Sequence, residues 1–210
     1  MNGSAAVVLS LTAVVAVLDW LAVGTERRGP EYVLKPLVMV GLVVTALAVD
    51  TSDGAVRVAV VVALLLSLAG DVFLMLPRDL FVAGLASFLG AHVAYIVAMV
   101  VLGTSGSGLL IGVVAVGLAI AVLGGRVLQG AKAADPALVG PVALYLAVIS
   151  VMVVTAAGTG RAIVVLGAVS FYVSDAVLGW TRFVSQFRHS RVVVMVTYHV
   201  GQALLVVGLL

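Results

Sequence analysis

The chain of 210 residues is 64% apolar and only 10% charged, with a net charge of +2 and 23 glycines. Soluble domains carry about 25% charged residues, so this composition excludes a soluble enzyme, a nucleic-acid-binding protein and a disordered chain. The sequence has no cysteine, which excludes disulfides, thiolate metal sites and cysteine nucleophiles. The composition predicts a polytopic membrane protein made almost entirely of bilayer-spanning segments.

Hydropathy and turn residues divide the chain into eight apolar stretches. We predict transmembrane helices at 5–23, 36–50, 56–76, 81–102, 108–128, 139–157, 161–180 and 192–210. The first stretch has no basic residue ahead of it, so we interpret it as a retained helix and not as a cleaved signal peptide. The stretches show no alternation of polar and apolar positions, which favours helices over a β-barrel. The predicted fold is all-α, a single eight-helix transmembrane domain over residues 1–210.

The basic residues predict how this bundle is oriented. Nine of the eleven lysines and arginines lie in or beside the connections after helices one, three, five and seven, and two lie in the other connections. Cytoplasmic connections are enriched in lysine and arginine. We therefore expect both termini on the non-cytoplasmic side of the plasma (inner) membrane.

Two acids lie well inside predicted helices. Asp71 is in helix three and Asp175 in helix seven, and each lies seven residues before a loop arginine, Arg78 or Arg182. A rise of about 1.5 Å per residue places both carboxyl groups about 10 Å from the cytoplasmic boundary. An aspartate at a helix centre costs about 2.5–3.5 kcal/mol, so two at one depth predict a shared polar site. The alternative is a packing role, in which hydrogen bonds of the two carboxyl groups hold the helices in register.

The spacing of these residues also suggests an internal repeat. Asp71 and Asp175 are 104 residues apart, and Pro36 and Pro141 are 105 residues apart. Near-equal offsets favour a parallel duplication of a four-helix unit. The single domain would then consist of two halves (4+4 helices), each with one aspartate.

Polar side chains able to bond the aspartates occur on several predicted helices. Ser67 precedes Asp71 by four residues and Tyr172 precedes Asp175 by three, so each pair shares a helix face. Tyr145 lies at a similar depth in helix six. The remaining polar residues on inward-facing stripes are His92 and Tyr95 on helix four and His199 and Gln202 on helix eight. For both histidines a structural role in the interior is the alternative.

Two charged residues near predicted helix ends have simpler interpretations. Asp19 lies beside Trp20 at the end of helix one, where we expect an interfacial aspartate. Lys35 precedes Pro36 at the predicted start of helix two, and fits either a snorkelling anchor or a ligand for a lipid headgroup. The histidines and aspartates form no complete set of metal ligands, so we predict neither a metal nor a cofactor.

Taken in chain order, these blocks resemble the YhhN-like lysoplasmalogenase family. The similarity is carried by Lys35-Pro36, Ser67-Leu68-Ala69-Gly70-Asp71, Phe81-x-x-Gly84-x-x-x-Phe88-x-x-x-His92-x-x-Tyr95, Gly167-Ala168-x-x-Phe171-x-x-Ser174-Asp175 and Tyr198-x-x-x-Gln202. It covers helices two to four and six to eight. The resemblance implies an integral membrane hydrolase that cleaves the sn-1 vinyl ether of a lysoplasmalogen, giving a fatty aldehyde and a glycerophospho-base.

The resemblance also implies that Asp71 and Asp175 are the catalytic residues. Hydrolysis of a vinyl ether needs a general acid and a carboxylate that stabilises a cation or acts as a base. Tyr145, Tyr172 or Ser67 would then orient the carboxyl groups or the water.

The implied substrate is a lysophospholipid within the bilayer. On this hypothesis Lys35 and Arg182 hold its phosphate, and its chain lies between helices. The alternative function is a proton-coupled transporter or a lipid carrier that uses the same acids. Release of free aldehyde by the purified protein would distinguish the hydrolase from the transporter.

Overall fold

The computed structural model describes residues 2–51 and 53–210, and every regular element in these ranges is helical. Eight helices are long and apolar enough to cross a membrane: α1 Gly3–Gly24, α2 Arg28–Ala48, α3 Gly54–Met75, α4 Phe81–Leu102, α5 Gly106–Ala134, α6 Pro136–Gly158, α7 Ala162–Phe183 and α8 Ser190–Leu209. The predicted all-α fold with eight spanning helices is therefore confirmed. Helix α5 contains one π-helical turn at Ile120–Gly124, and α6 begins with a short 3₁₀ turn, Pro136–Leu138.

The outer surface of the bundle is apolar. Leu11, Val58 and Leu110 are 63%, 63% and 66% exposed, and many other valines and leucines point outward in the same way. Such a surface is unfavourable in water but is solvated by lipid chains. Together with the length of the helices, it identifies an integral membrane protein.

Helices that are adjacent in sequence pack as antiparallel hairpins, α1 with α2, α3 with α4, α5 with α6 and α7 with α8. Small residues allow the closest approach. A Cβ atom on Gly201 of α8 would lie 2.8 Å from the backbone nitrogen of Phe171, and one on Gly167 of α7 would lie 2.9 Å from that of Leu205. Without a hydrophobic force between helices in lipid, such close contact is a main source of packing energy. It brings α8, the most buried of the spans, into the centre of the bundle.

Helix α2 differs from its predicted bounds. It begins at Arg28 and runs through Pro36, whereas hydropathy predicts a start at residue 36. The reason is that its first two turns carry Glu31 and Lys35, which lower the local hydropathy yet are only 5% and 6% exposed. Lys35 therefore does not mark the start of the helix and is not a snorkelling anchor; it lies two turns inside α2 with its side chain in the interior.

One end of the bundle is called the basic end below. Helices α1, α3, α5 and α7 finish there, α2 and α8 begin there, and Arg27, Arg78, Arg182, Arg188 and Arg191 lie at or near it. Asp71 lies one helical turn before the end of α3, and Asp175 lies two turns before the end of α7. That the basic end faces the cytoplasm remains a prediction.

Candidate active site

Asp71 is buried and holds an ionic partner. Its Oδ1 lies 2.9 Å from the Nζ of Lys35 on α2, and the two side chains are 2% and 8% exposed. Its Oδ2 accepts a 2.7 Å hydrogen bond from the hydroxyl of Tyr198 on α8. Both carboxylate oxygens are therefore occupied, and the ammonium of Lys35 balances the carboxylate charge inside the bundle.

Asp175 has a different set of partners. The hydroxyl of Tyr145 on α6 donates to its Oδ2, and Nε2 of His92 on α4 lies 3.2 Å from the same oxygen. The Nε2 of His92 is also 3.0 Å from the hydroxyl oxygen of Tyr145, so the three groups form one compact cluster. The side chain of Asp175 is 11% exposed, and its Oδ1 accepts no hydrogen bond from the residues that the structure describes.

The two carboxyl groups line one cavity at the basic end. This polar cavity, with a volume of about 160 Å³, is lined by Arg28, Glu31, Lys35, Asp71, Asp175, Arg191 and Tyr198, among others. A second, apolar cavity of about 60 Å³ lies between α4, α6 and α7, and its lining includes Phe81, Leu85, Val142, Tyr145, Ile149 and Asp175. Asp175 lines both cavities, whereas Asp71 lines only the polar one of the two. Asp175 therefore lies at the boundary between the polar cavity and the apolar cavity.

Aromatic rings form the wall beside the two carboxyl groups. The ring of Phe171 lies 5.3 Å from that of Tyr198 and 4.8 Å from that of His92, and Phe88 packs edge-on against Phe171 and Tyr198. Phe88 can take this place because Gly70 has no side chain: a Cβ there would lie 2.6 Å from the Phe88 ring. Gly70 thus leaves room for the Phe88 ring directly beside the residue that contributes the carboxylate, Asp71.

Tyr95 and Gln202 form a second polar pair deeper in the bundle. The Tyr95 hydroxyl donates to Gln202 Oε1 over 2.5 Å, and both side chains are fully buried. Because Gln202 lies one turn beyond Tyr198 on α8, this bond fixes the helix that brings Tyr198 to Asp71. His199 has a structural partner, since Trp20 Nε1 donates to its Nδ1 over 3.1 Å.

Three residues of the predicted site lie apart from the aspartates. Ser67 is fully buried, but its hydroxyl makes no hydrogen bond within the described parts of the chain, to Asp71 or otherwise. Tyr172 lines the apolar cavity and makes no hydrogen bond to Asp175. Arg182 is outside the polar cavity; it pairs with Asp79 at 2.6 Å on the exposed surface. The last turn of α7 points Arg182 at the loop after α3, away from both aspartates, and the hypothesis that it holds the phosphate stays a prediction.

The structure also reveals buried acids that sequence reasoning missed. Asp19 is not interfacial: it is fully buried in α1, and neither carboxyl oxygen has a partner among the described residues. Glu31 is buried in α2 and is held by Arg191, whose Nη2 lies 2.7 Å from both of its carboxyl oxygens. The spacing of Glu31 and Lys35, four residues apart on one helix face, was the signal that could have placed both inside.

The residues of the site do not assemble into a cation site. In residues 2–51 and 53–210, no three histidine, aspartate or glutamate side chains lie close enough together to share a metal ion. The ammonium of Lys35 already occupies the Asp71 carboxylate. The chemistry that the arrangement can perform is proton transfer and charge stabilisation by two carboxyl groups, with hydroxyl and imidazole groups as supports.

The fold and the site define an integral membrane protein of eight helices with two intramembrane carboxyl groups in a cavity at one end. The chain belongs to the YhhN family, which matches residues 31–209, so the family expected from the sequence motifs is confirmed. Within this match lie Lys35 and both aspartates, whereas Asp19 and the whole of α1 lie outside it.

A curated relative, "Lysoplasmalogenase TMEM86B" from Homo sapiens, is 32% identical over 148 residues. The aligned region covers 70% of this chain and 62% of the relative, so the chain spans less than two thirds of that protein's length. No solved structure gives a significant match to the chain.

Proposed function

We propose that this protein is a lysoplasmalogenase-like hydrolase that cleaves the sn-1 vinyl ether of a lysoplasmalogen to a fatty aldehyde and a glycerophospho-base. The observation that carries the proposal is the position of Asp175, which borders the polar cavity that contains Asp71 and the apolar cavity beside it. A lysolipid has a charged headgroup and one long chain, and its ether oxygen lies at their junction. The family and the name of the human relative support the same activity.

The chemistry needs an acid that can protonate carbon. Hydrolysis of a vinyl ether begins with transfer of a proton to the β-carbon of the double bond, which leaves an oxocarbenium ion. Water adds to the α-carbon, and the resulting hemiacetal divides into the aldehyde and the glycerol hydroxyl. A neutral carboxylic acid in a site of low dielectric can supply the proton, and a nearby negative charge stabilises the cation. Glycosidases solve a related problem with two carboxyl groups.

We assign the acid to Asp175. Its Oδ2 is held by Tyr145 and faces His92, whereas its Oδ1 is free to carry a proton toward the apolar cavity. Asp71, with both oxygens bonded, is held as the carboxylate and keeps a negative charge near the developing cation.

The proton balance closes on Asp175. Its carboxylic acid gives one proton to the β-carbon and becomes a carboxylate beside the oxocarbenium ion. That carboxylate accepts a proton from the attacking water as the new C–O bond forms. In the last step Asp175 gives this proton to the glycerol oxygen as the C–O bond of the hemiacetal breaks. The proton that the hemiacetal hydroxyl loses returns to the Asp175 carboxylate through water in the polar cavity, which restores the acid for the next turnover.

The activity is tested by incubating the detergent-purified protein with a lysoplasmalogen and measuring free aldehyde. We expect the wild-type protein to release aldehyde and Asp175→Asn to lose about 100- to 10,000-fold in kcat, as is typical when a proton-transfer group is removed. Asp71→Asn should lose about 100- to 1,000-fold, because it removes the charge that stabilises the cation. Asp50→Asn is the matched control, because Asp50 is exposed at the opposite end of the bundle.

Two results would contradict the proposal. One is full turnover by folded Asp71→Asn or Asp175→Asn, with folding checked by thermal unfolding in the same detergent. The other is the absence of aldehyde from the wild-type protein together with ligand flux in sealed vesicles, which would favour the transporter.

The orientation of the site is part of the same proposal: the basic end faces the cytoplasm of the plasma (inner) membrane. Because the chain has no cysteine, single cysteines can report sidedness without background. We expect Gln186→Cys, at the basic end, to resist a membrane-impermeant maleimide in intact cells, and Thr104→Cys, at the other end, to react. The reverse pattern would invert the orientation and leave the chemistry untouched.

A further inference from the structure

A groove on the outer surface of the bundle lies between α5 and α7, beside the apolar cavity. It has a volume of about 540 Å³ and is lined by apolar and aromatic side chains within residues 115–123 of α5 and 169–180 of α7, among others. Val169 and Val173 are 42% and 40% exposed, so the groove opens toward the surrounding lipid. Pockets that hold small ligands have volumes of about 300–1,000 Å³, and this groove falls within that range.

Helix α5 forms the outer wall of the groove and is loosely packed. It lies along α6 and approaches α7 mainly through its last turns, Gly125–Ala134. It is also the least buried of the eight spanning helices that the structure describes. Leu123, which lines the groove, lies in the π-helical turn Ile120–Gly124. Such turns are rare and occur frequently at functional sites, so the distortion of α5 coincides with the groove.

The depth of the groove matches one leaflet of a bilayer. Trp180 follows Val169 by 11 residues on α7, which corresponds to about 16 Å, and the hydrocarbon core of a bilayer is about 30 Å thick. Trp180 lies near the end of α7, and the guanidinium of Arg126 lies 5.8 Å from the centre of its ring. Tryptophan is enriched at membrane–water interfaces. The groove therefore runs from the interface at the basic end toward the middle of the bilayer, as a lipid chain of that leaflet does.

Two side chains of α7 form the wall between the groove and the apolar cavity. Tyr172 and Ala176 line both spaces, and they lie four residues apart on one face of the helix. Asp175 lines the cavity and not the groove, so its carboxyl group lies behind this wall. Ala176 contributes only a methyl group, so the wall is thin at that position.

The apolar cavity is too small to hold a lipid chain by itself. Its volume of about 60 Å³ is well below the range of about 300–1,000 Å³ for ligand pockets. The proposed reaction places the vinyl ether at Asp175, so most of the attached chain must lie beyond the cavity. The polar cavity on the other side contains Lys35 and Asp71, and hydrocarbon is transferred favourably only to apolar surroundings. The groove is the apolar space that adjoins the cavity through Tyr172 and Ala176.

We propose that the groove between α5 and α7 holds the distal part of the substrate's hydrocarbon chain, and that the chain reaches Asp175 through a passage at Tyr172 and Ala176. The fatty aldehyde leaves by the same passage. This inference rests on the proposed function and names the path of its lipid. The chain stays in contact with the bilayer throughout, so the substrate is drawn laterally from the leaflet at the basic end.

The position of the chain can be mapped without hydrolysis. The probe is a long-chain alkylglycerophosphocholine, which has no vinyl bond to cleave, with a diazirine near the end of its chain. The purified protein is reconstituted in lipid nanodiscs with the probe and irradiated, and the labelled peptides are identified by mass spectrometry. We expect labelling of residues 115–123 and 169–177, and we expect an excess of the same lipid without the diazirine to suppress it.

Closing the passage should affect long chains alone. Ala176→Phe fills the gap in the wall, and we expect it to lower kcat/KM for a long-chain lysoplasmalogen about 10-fold or more, as is typical when a few methylene groups lose their place in a pocket. A butenyl analogue, whose chain ends inside the cavity, should be cleaved nearly as by the wild-type protein. Ala13→Phe is the matched control, because Ala13 is exposed on α1, outside the groove and the cavity.

A second variant covers the case in which Ala176→Phe does not fold. Ala115 is exposed on the α5 wall of the groove and does not line the cavity. Ala115→Phe therefore narrows the groove from the other side, and it should also lower kcat/KM for the long-chain substrate more than for the butenyl analogue.

The dependence on chain length and the labelled positions decide the inference. It is overturned if the folded variants affect both chain lengths equally or neither, or if competed labelling lies on other helices. A disulfide that forms between two copies of Val173→Cys in membranes, with no labelling of the groove, would also overturn it, since a second copy would then cover the groove. Competed labelling of the groove in a protein that releases no aldehyde from any lysoplasmalogen would refute the proposed reaction and keep the lipid path, so the two failures are distinguishable.

Discussion

The two intramembrane aspartates have the same residue type at the same end of the bundle, but their environments differ. Asp71 pairs with an ammonium, that of Lys35, and accepts a bond from Tyr198. Among the described residues, Tyr145 and His92 are the hydrogen-bonding partners of Asp175, and its Oδ1 accepts no hydrogen bond. One residue type at one end of the bundle thus has two different sets of bonding partners, and the different roles proposed for the two aspartates rest on that difference.

The helices that supply the bonding partners of the two aspartates occupy corresponding places in the two halves of the chain. Asp71 on α3 is bonded from α2 and α8, and Asp175 on α7 is bonded from α6 and α4. In each case the partners come from the second helix of one half of the chain and the fourth helix of the other half. This correspondence supports the 4+4 repeat, which remains a hypothesis, and suggests that duplicated positions acquired different side chains and hence different charges.

The largest effect on this comparison should come from Lys35→Met. Removing the ammonium leaves Asp71 buried and uncompensated, and breaking a buried ion pair in this way costs about 3–5 kcal/mol. We expect a clear fall in the thermal unfolding midpoint in detergent, together with loss of aldehyde release. The double variant Lys35→Met/Asp71→Asn should regain most of the midpoint but not the activity. An unchanged midpoint in the single variant would show that Lys35 does not stabilise an ionised Asp71 in the folded protein.

A smaller and more specific effect is expected from Tyr145→Phe. One hydrogen bond to Asp175 is lost. On the proposed mechanism Asp175 becomes a carboxylate as it protonates the substrate, and a hydrogen bond to a charged group is worth about 1.5–3 kcal/mol, which corresponds to a fall in kcat of about 10–100-fold. Because Asp175 is partly open to the cavities, the unfolding midpoint should change little.

The matched variant is Tyr198→Phe, which removes the equivalent bond to Asp71. Here we expect a lower unfolding midpoint and a smaller loss in kcat, because Asp71 keeps Lys35 and acts only through its charge. If the two phenylalanine variants have equal effects on kcat and on stability, the different roles assigned to the two aspartates are wrong.

The smallest effect should come from the ion pair outside the site. Asp79 pairs with Arg182 on the surface, and the neighbouring guanidinium lowers the pKa of Asp79 below its usual value. A lowered carboxyl pKa stabilises the fold above the pKa of the unfolded state, about 3.9, and this contribution disappears as the pH falls through the folded-state value. Exposed pairs contribute little, so Asp79→Asn should shift the unfolding midpoint only slightly at neutral pH and not at all at strongly acid pH.

The activity of the same variant can also be measured. We expect Asp79→Asn to retain full aldehyde release, because neither Asp79 nor Arg182 lines the polar cavity. A large loss would instead support the prediction that Arg182 contributes to substrate binding.

Part of the candidate site could be predicted from the sequence because charged residues are rare in this chain. Asp71 and Asp175 interrupt long apolar runs, so they stand out without any structure, and the similar depth of Tyr145 predicted its place near them. Asp19 and Glu31 escaped for the opposite reason: they lie close to predicted helix ends, where an acid is ordinarily solvated. Whether a residue near a helix end is buried depends on the neighbouring helices, and here α8 packs against both α1, which carries Asp19, and α2, which carries Glu31.

The sequence by itself determined the class of protein, the number of spanning helices, the family and the two aspartates. It could do so because lipid imposes long apolar segments, and because any charge within them is costly. The tertiary structure alone decided that Lys35 pairs with Asp71, that Arg182 lies outside the cavity and that Arg191 closes on Glu31. Lys35 and Asp71 lie on consecutive helices, whereas Arg182 and Asp79, and Arg191 and Glu31, are more than 100 residues apart. Periodicity within one helix carries no information about the helix on the other side.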